Sequence, residues 1–94
     1  MLYKALIVNQ ELILLYHHIG GEILRSQQGH GWGKNVVGQL SIDLKAEFPE
    51  MKGFSTRNLM YMRKFAHEYP EIEFVQQVAA KLPWFYIAVI LDQN

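Results

Sequence analysis

Two amphipathic helices joined by a short connection are predicted by residues 34–69, which read KNVVGQLSIDLKAEFPEMKGFSTRNLMYMRKFAHEY. The first helix covers residues 34–48, because apolar residues recur there at helical spacing before Pro49 ends the pattern. The second covers residues 55–69, because the hydroxyl of Ser55 can accept a hydrogen bond from a free backbone N–H at a helix start. Together they predict a helix-turn-helix-like arrangement, although the turn is longer than usual.

The same spacing predicts which face of each helix is buried. In the first helix the inward residues are expected to be Val37, Leu40, Leu44 and Phe48, with Val36 beside them. In the second helix they are expected to be Leu59, Met62, Ala66 and Tyr69, with Phe65 adjoining.

An upstream helix is predicted over residues 8–24. Its inward residues are expected to be Leu12, Leu15, Ile19 and Ile23, with Val8 and Tyr16 beside them. Gly20 and Gly21 are predicted to interrupt it, since each glycine costs about 1 kcal/mol relative to alanine in a helix. Such a pair indicates a kink or the close approach of another element. The three glycines of residues 27–33 predict a loop.

Downstream, a fourth helix is predicted between Pro70 and Pro83, with Glu71 and Glu73 near its positively polarised start. Its inward residues are expected to be Val75, Val78, Ala79 and Leu82. Residues 84–91 are apolar at every position, so periodicity does not distinguish a helix from a strand there. We therefore predict an all-α fold of four or five helices with a helix-turn-helix-like three-helical core.

Length and composition predict a single domain over residues 1–94. The absence of cysteine excludes disulfide frameworks, thiolate metal sites and cysteine nucleophiles. The chain start lacks the basic residues and cleavage site of a signal peptide, and the longest apolar run is too short to span a bilayer. We expect a cytoplasmic protein with no membrane contact.

The zero net charge conceals an uneven distribution along the chain. Residues 25–64 carry seven basic against three acidic residues, whereas residues 65–94 carry one basic against four acidic residues. A polyanion is therefore expected to meet the middle of the chain. Ordinary solvated surface charge would give the same pattern, and this alternative stays open.

Double-stranded DNA is the predicted partner, because the second helix of a helix-turn-helix lies in the major groove with its N-terminal residues at base edges. Arg57 and Asn58 have side chains that can bond guanine and adenine edges. Hydroxyl and basic side chains nearby suit phosphate contacts. The predicted DNA-binding residues are Ser55, Thr56, Arg57, Asn58, Tyr61, Arg63 and Lys64.

Catalytic and cofactor sites are not predicted. Residues 29–34 only superficially resemble a phosphate loop, because Asn35 replaces the required hydroxyl residue, and Trp32 is expected to pack on the core from a turn. His17 and His18 are adjacent, so on a helix they point about 100° apart and do not share a metal ion. We expect no enzyme activity, no cofactor and no small-molecule substrate.

The apolar C-terminal segment supports a second hypothesis, an interaction module without direct nucleic-acid binding. A strip of this kind, when exposed, marks an interface, and with no other partner it would form a homodimer. The predicted interface residues are Trp84, Phe85, Tyr86, Ile87, Ile90 and Leu91.

Several strings, in order and over nearly the whole chain, resemble one family. They are Val8–Tyr16 with Ile19-Gly20, Gly31-Trp32-Gly33 with Val36-Val37, Leu40-Ser41 with Asp43-Leu44, Phe48-Pro49, Gly53-Phe54-Ser55 with Asn58-Leu59, Met62-Arg63, Phe65, Tyr69 and Leu82-Pro83-Trp84. The chain is similar to the N-terminal domain of the YhcG-type family (domain of unknown function 1016). The chain departs from the family pattern at His17, Gly21, Phe85 and Tyr86.

The resemblance implies a helical DNA-binding domain that precedes a nuclease domain of the PD-(D/E)XK type. No residues here match the carboxylates and lysine of that nuclease, so the resemblance implies that the catalytic domain is absent from this chain.

Overall fold

The computed structural model describes the backbone of residues 2–30 and 34–93 and the side chains of residues 8–26 and 36–93. The helices are α1 (Leu2–His30), α2 (Lys34–Glu47), α3 (Thr56–Glu68), α4 (Ile72–Lys81) and α5 (Trp84–Gln93). No strand occurs in the described residues, which confirms the predicted all-α class. The apolar C-terminal segment, which the sequence left open, is a helix.

Helix α1 is longer than predicted, because it begins at Leu2 and continues to His30. The predicted interruption at Gly20 is wrong, since the helix runs through both glycines. The predicted loop is wrong for residues 27–30, which are helical. Residues 31–33 lie outside the described residues, and so does the prediction that Trp32 packs on the core.

A close approach between α1 and α3 explains Gly20. A Cβ atom added at Gly20 would lie 2.0 Å from the backbone oxygen of Met62 and 3.1 Å from the Cβ of Ala66. The predicted close approach is therefore confirmed, and the missing side chain lets the two helix backbones touch. This contact orients the whole outer face of α3.

The buried face of α1 agrees with the prediction in part, because Tyr16 and Ile23 are buried and Leu12 and Ile19 pack partly buried against the core. Ile13, Tyr16 and Ile23 are buried together with Gly20, whereas Leu15 is 39% exposed and Val8 is 60% exposed. The reason is the contact at Gly20, because the side chains that pack beside a helix crossing are those that flank it on the same face. Hydrophobicity alone identified that face only in part among so many apolar residues.

The core has two clusters. One joins α1, α2 and α3 through Tyr16, Ile23, Val37, Phe54, Leu59 and Met62. The other joins α1, α3, α4 and α5 through Ile13, Phe65, Val75, Ala79, Ile87 and Leu91. Trp84 packs against both clusters, so the start of α5 links the three-helix part of the molecule to its C-terminal pair.

Helix α2 buries less than predicted. Val37 is buried, and Leu40 and Leu44 are partly buried, but Phe48 is 45% exposed. Phe48 lies beyond the end of α2 at Glu47, so the helical period no longer directs it inward. Val36 is also exposed.

The connection between α2 and α3, residues 48–55, is held by hydrogen bonds to the helices around it. Ser41 Oγ donates to Phe54 O at 2.5 Å, and Tyr16 Oη donates to Lys52 O at 3.5 Å. Gly53 adopts φ 104°, and a Cβ there would lie 2.1 Å from Tyr16 Oη. Both the backbone conformation and the lack of space therefore require glycine at this position. The entry to α3 is therefore well determined.

Helices α4 and α5 contribute buried residues to the core cluster that contains Ile13 and Phe65. Val75 and Ala79 of α4 are buried as predicted, and Val78 and Leu82 pack partly buried against the same cluster. Among the described residues no single helix has the length and apolarity to cross a membrane. Only α4 and α5 taken together meet that criterion by length and composition, and they are bent by 118°.

Candidate nucleic-acid interface

Helix α3 begins at an exposed, capped N-terminus. Ser55 has an extended backbone, and its Oγ accepts a hydrogen bond from Asn58 N at 3.1 Å, which confirms the predicted N-cap. Thr56 and Arg57 follow and are exposed. Backbone N–H groups at a helix start carry partial positive charge, so this end of α3 favours an anion.

Arg57 and Tyr61 form the first part of the outward face of α3. Arg57 Nη2 donates to Tyr61 Oη at 3.2 Å, and the guanidinium carbon lies 5.7 Å from the centre of the tyrosine ring. This hydrogen bond, with smaller electrostatic contributions from Tyr61 and Asp92, raises the pKa of Arg57. The guanidinium is thus a fixed positive charge on a partly ordered side chain, which suits recognition of a phosphate or a guanine edge.

The C-terminal end of α5 is fastened to this same face. Tyr61 Oη donates to Asp92 Oδ1 at 2.9 Å, and Lys64 Nζ donates to Leu91 O at 2.7 Å. Lys64 thereby satisfies one of the carbonyl groups that a helix end leaves without a partner. A ligand anion at Lys64 or Tyr61 would meet these contacts, and nothing in the sequence indicated that α5 reaches them.

An open depression of about 490 Å³ follows the face from Arg57 to Glu68. It is lined by Arg57, Met60, Tyr61, Arg63, Lys64, His67 and Glu68. Three basic side chains and one acidic side chain line it, so the formal charge of its lining is positive. We call Ser55, Thr56, Arg57, Tyr61, Arg63 and Lys64 the α3 face.

Asn58 has a different surrounding from the other predicted DNA-binding residues. Its side chain is half-buried, its Nδ2 donates to Gly53 O at 2.7 Å, and its Oδ1 accepts from Trp84 Nε1 at 2.8 Å. Both ends of the amide are engaged inside the chain, so we leave Asn58 out of the α3 face.

Replacing Asn58 with alanine is expected to lower the free energy of unfolding by about 1–3 kcal/mol, because it leaves the Trp84 N–H and the Gly53 carbonyl without partners. Urea denaturation followed by circular dichroism measures this effect. Thr56→Ala, which alters an exposed neighbour, serves as the control. An Asn58→Ala variant as stable as the control would contradict the structural role.

The predicted interface residues divide between the two sides of α5. Phe85 is 71% exposed and Tyr86 is 57% exposed, and Ile90 is also exposed. Ile87 and Leu91 are buried in the core and Trp84 is partly buried, so only Phe85, Tyr86 and Ile90 of the predicted set lie at the surface of the described chain. A helix of ten residues packed on a core turns one side inward, and a uniformly apolar sequence does not show which side.

The two adjacent histidines of α1 have separate partners. His17 Nε2 lies 2.7 Å from Tyr69 O, whereas His18 Nε2 lies 3.8 Å from Glu22 Oε1. Within the described parts of the chain, no three His, Cys, Asp or Glu side chains are grouped as metal ligands. The phosphate-loop-like string lies partly in residues 31–33, which are not described.

Comparison with known proteins places the chain in a family. A family model described as the DUF1016 N-terminal domain matches residues 3–94. The chain belongs to the DUF1016 family. The match confirms the resemblance inferred from the sequence strings, and it covers all five helices except Leu2, the first residue of α1. Neither a curated protein nor a solved structure matches the chain.

In this DUF1016 N-terminal domain, Asp92 places a carboxylate beside the α3 face. Asp92→Asn keeps an oxygen for the Tyr61 hydroxyl but removes the negative charge, so for the DNA partner predicted from the sequence we expect the affinity to rise about two- to fivefold at low salt. Fluorescence anisotropy measures the change. Glu73→Gln, the same change of charge in the first turn of α4, is the control. Equal affinities for the two variants would show that Asp92 does not modulate the α3 face.

Proposed function

We propose that this domain binds double-stranded DNA through the α3 face. The observation that carries the proposal is the exposed, capped N-terminus of α3, which continues directly into a depression lined by Arg57, Arg63 and Lys64. Phosphate groups bind where helix N-termini and basic side chains coincide. Base edges are read by side chains from the first turn of such a helix.

The residues of the α3 face divide by chemistry. Ser55 and Thr56 present hydroxyl groups at the helix start, where a backbone phosphate is held by N–H and O–H donors together. Arg57 lies one residue further on and is long enough to donate two hydrogen bonds to a guanine edge. Lys64, near the far end of the face, suits a second phosphate as a point charge.

The support beneath α3 favours this function. Leu59, Met62 and Phe65 are buried on the opposite side of the helix, and the backbone contact at Gly20 holds α3 against α1. A binding element on a rigid helix loses little conformational entropy when it meets its ligand. The α3 face is therefore preorganised.

Affinity is expected to be modest, because the chain as a whole is neutral and the positive field is local. With about three phosphate contacts, the logarithm of the binding constant should fall with the logarithm of salt with a slope of about −2.7. Non-specific dissociation constants of about 10⁻⁴ to 10⁻⁶ M at physiological salt are typical of such binding.

The test is a fluorescence-anisotropy titration with a labelled duplex of about two helical turns, at about 50 and 200 mM salt. We expect binding at the lower salt and an affinity about 40-fold weaker at the higher salt, as the slope above requires. Absence of binding at the lower salt would overturn the proposal.

We infer further that, joined to the nuclease domain that the family resemblance implies, this domain would position that domain on duplex DNA. The second candidate function, protein interaction, is favoured by the exposed apolar side of α5.

A further inference from the structure

Helix α5 is apolar on both of its sides. Its inner side, with Ile87 and Leu91, lies in the core, while its outer side exposes Phe85, Tyr86, Val89 and Ile90. No charged residue occurs between positions 84 and 91. A helix that is hydrophobic all round is normally covered on all sides, and here one side has no cover within the described chain.

The exposed area extends onto α4. Ile90 and Phe74 together border an apolar depression of about 150 Å³, and Phe74 is itself exposed. We call Phe74, Phe85, Tyr86, Val89 and Ile90 the α5 patch. Contiguous apolar surface that includes three aromatic side chains marks an interaction site rather than ordinary surface.

We propose that the α5 patch is the contact surface of a symmetric homodimer, in which α5 of one copy packs against α5 of a second copy. The patch is uncharged, so two identical patches meet without repulsion between like charges, as a two-fold interface requires. Phe85 with Val89 and Tyr86 with Ile90 form rows four residues apart, and such rows interlock with the same rows of another helix.

The area of the α5 patch fits this occupant. A complete aromatic side chain covers roughly 150–250 Å², and the exposed fractions of these five side chains amount to about 500 Å² per copy. Two copies would bury at most about 1,000 Å², which is the size of a weak or transient interface. We therefore expect a dimer that dissociates on dilution.

The dimer would also couple two α3 faces, a consequence that rests on the proposed DNA binding. Lys64 and Tyr61 attach the C-terminal end of α5 to the α3 face through Leu91 O and Asp92 Oδ1. The interface helix is thus bonded directly to the DNA-binding helix. A duplex that reaches both α3 faces should bind a dimer more tightly than a monomer, because the second contact becomes intramolecular.

The first test is light scattering after gel filtration over a concentration series. The wild-type chain should approach twice its mass of 11.0 kDa as concentration rises. Phe85→Glu/Ile90→Glu should stay monomeric with unchanged helical content. Ile42→Glu, which alters an apolar residue 62% exposed on α2, should dimerise like the wild type. A wild-type monomer at the highest soluble concentration would overturn the proposal.

A second test does not depend on how well charged variants fold. The chain has no cysteine, so single cysteines can be introduced without interference. Oxidation of Val89→Cys should give a disulfide-linked dimer, because residues at the centre of a helix pair approach within disulfide distance. Ile42→Cys should not cross-link. Equal cross-linking of the two variants would contradict a specific α5 contact.

Two further outcomes separate this proposal from its alternatives. Cosedimentation of a monomeric wild-type chain with phosphatidylcholine vesicles would overturn the dimer and assign the α5 patch to a lipid surface. A dimer that fails to bind duplex DNA would refute the proposed function while leaving the dimer in place. A Phe85→Glu/Ile90→Glu monomer that still binds DNA, more weakly than the wild type, is the result that we expect.

Discussion

Gly20→Ala is expected to lower the free energy of unfolding by about 3 kcal/mol or more, the upper range for overpacking in a core. The new Cβ would lie 2.0 Å from the backbone oxygen and 2.5 Å from the carbonyl carbon of Met62. These are backbone atoms in the middle of α3, so no change of rotamer relieves the clash. The helices would have to separate, and both core clusters would lose contacts.

The neighbouring glycine provides a matched control. A Cβ at Gly21 meets nothing closer than the guanidinium of Arg25, at 3.8 Å. Gly21→Ala should therefore raise stability by up to about 1 kcal/mol, through helix propensity alone. Urea denaturation of both variants, followed by circular dichroism, gives the comparison. Similar effects of the two substitutions would contradict the contact between α1 and α3.

The second large effect concerns binding. Arg57→Glu/Lys64→Glu is expected to weaken duplex DNA binding by about tenfold or more, because it removes the base-edge donors of Arg57 and the phosphate contact of Lys64 and places two negative charges on the α3 face. The slope of affinity against salt should become shallower in the same variant. Anisotropy titrations at two salt concentrations measure both changes.

The control for this variant is a second double variant that has the same net charge as Arg57→Glu/Lys64→Glu. Lys45→Glu/Lys81→Glu also reverses two basic residues. These two lysines are exposed and lie in the last turns of α2 and α4, outside the α3 face. It should bind DNA within about threefold of the wild type, since exposed charges beyond a Debye length are screened. Equal losses in the two variants would indicate only a general charge effect.

The bond of Lys64 to Leu91 O adds a second control. Lys64→Glu removes a cap from α5, so part of its effect could come from a displaced helix. Arg57→Glu alone leaves that cap in place, because Arg57 bonds only the tyrosine hydroxyl among the contacts described. A loss of affinity in the single variant, with an unchanged unfolding transition, assigns the effect to the α3 face.

Helix α3 could be predicted from sequence almost residue for residue, because its signals are local. Ser55 caps its start, Pro70 follows its end, and Leu59 and Met62 recur at helical spacing. Each residue of the string Gly53-Phe54-Ser55 has its own structural role. Gly53 adopts a positive φ, Phe54 buries its ring, and Ser55 caps the start of α3. Features of this kind depend on a few neighbouring residues and are therefore visible in the sequence.

The orientation of α1 could be predicted only in part, and that of α5 could not be predicted, because both depend on contacts between distant parts of the chain. In α1, apolar residues occur on more than one side, and the backbone contact at Gly20 selects the side with Ile13. In α5, the phase that buries Ile87 and exposes Phe85 follows from the packing of Trp84. Uniform hydrophobicity carries no information about phase.

In the candidate site, too, features set by neighbouring residues could be predicted and features set by distant contacts could not. The exposure of Thr56 and Arg57 follows from their place on the first turn of an amphipathic helix. The engagement of Asn58 by Trp84, and of Tyr61 by Asp92, joins residues far apart in the chain. Sequence spacing therefore identified the outward side of α3 but not which of its groups already have partners.

The most direct test of the central claim is a map of the DNA-contact surface by two-dimensional NMR. Amide signals of the chain would be followed as an unlabelled duplex is added at low salt. We predict that the largest shifts cluster from Ser55 to Lys64, with smaller ones at Asp92. Shifts confined to α1, α2 or the outer side of α5, with α3 unchanged, would contradict DNA binding through the α3 face.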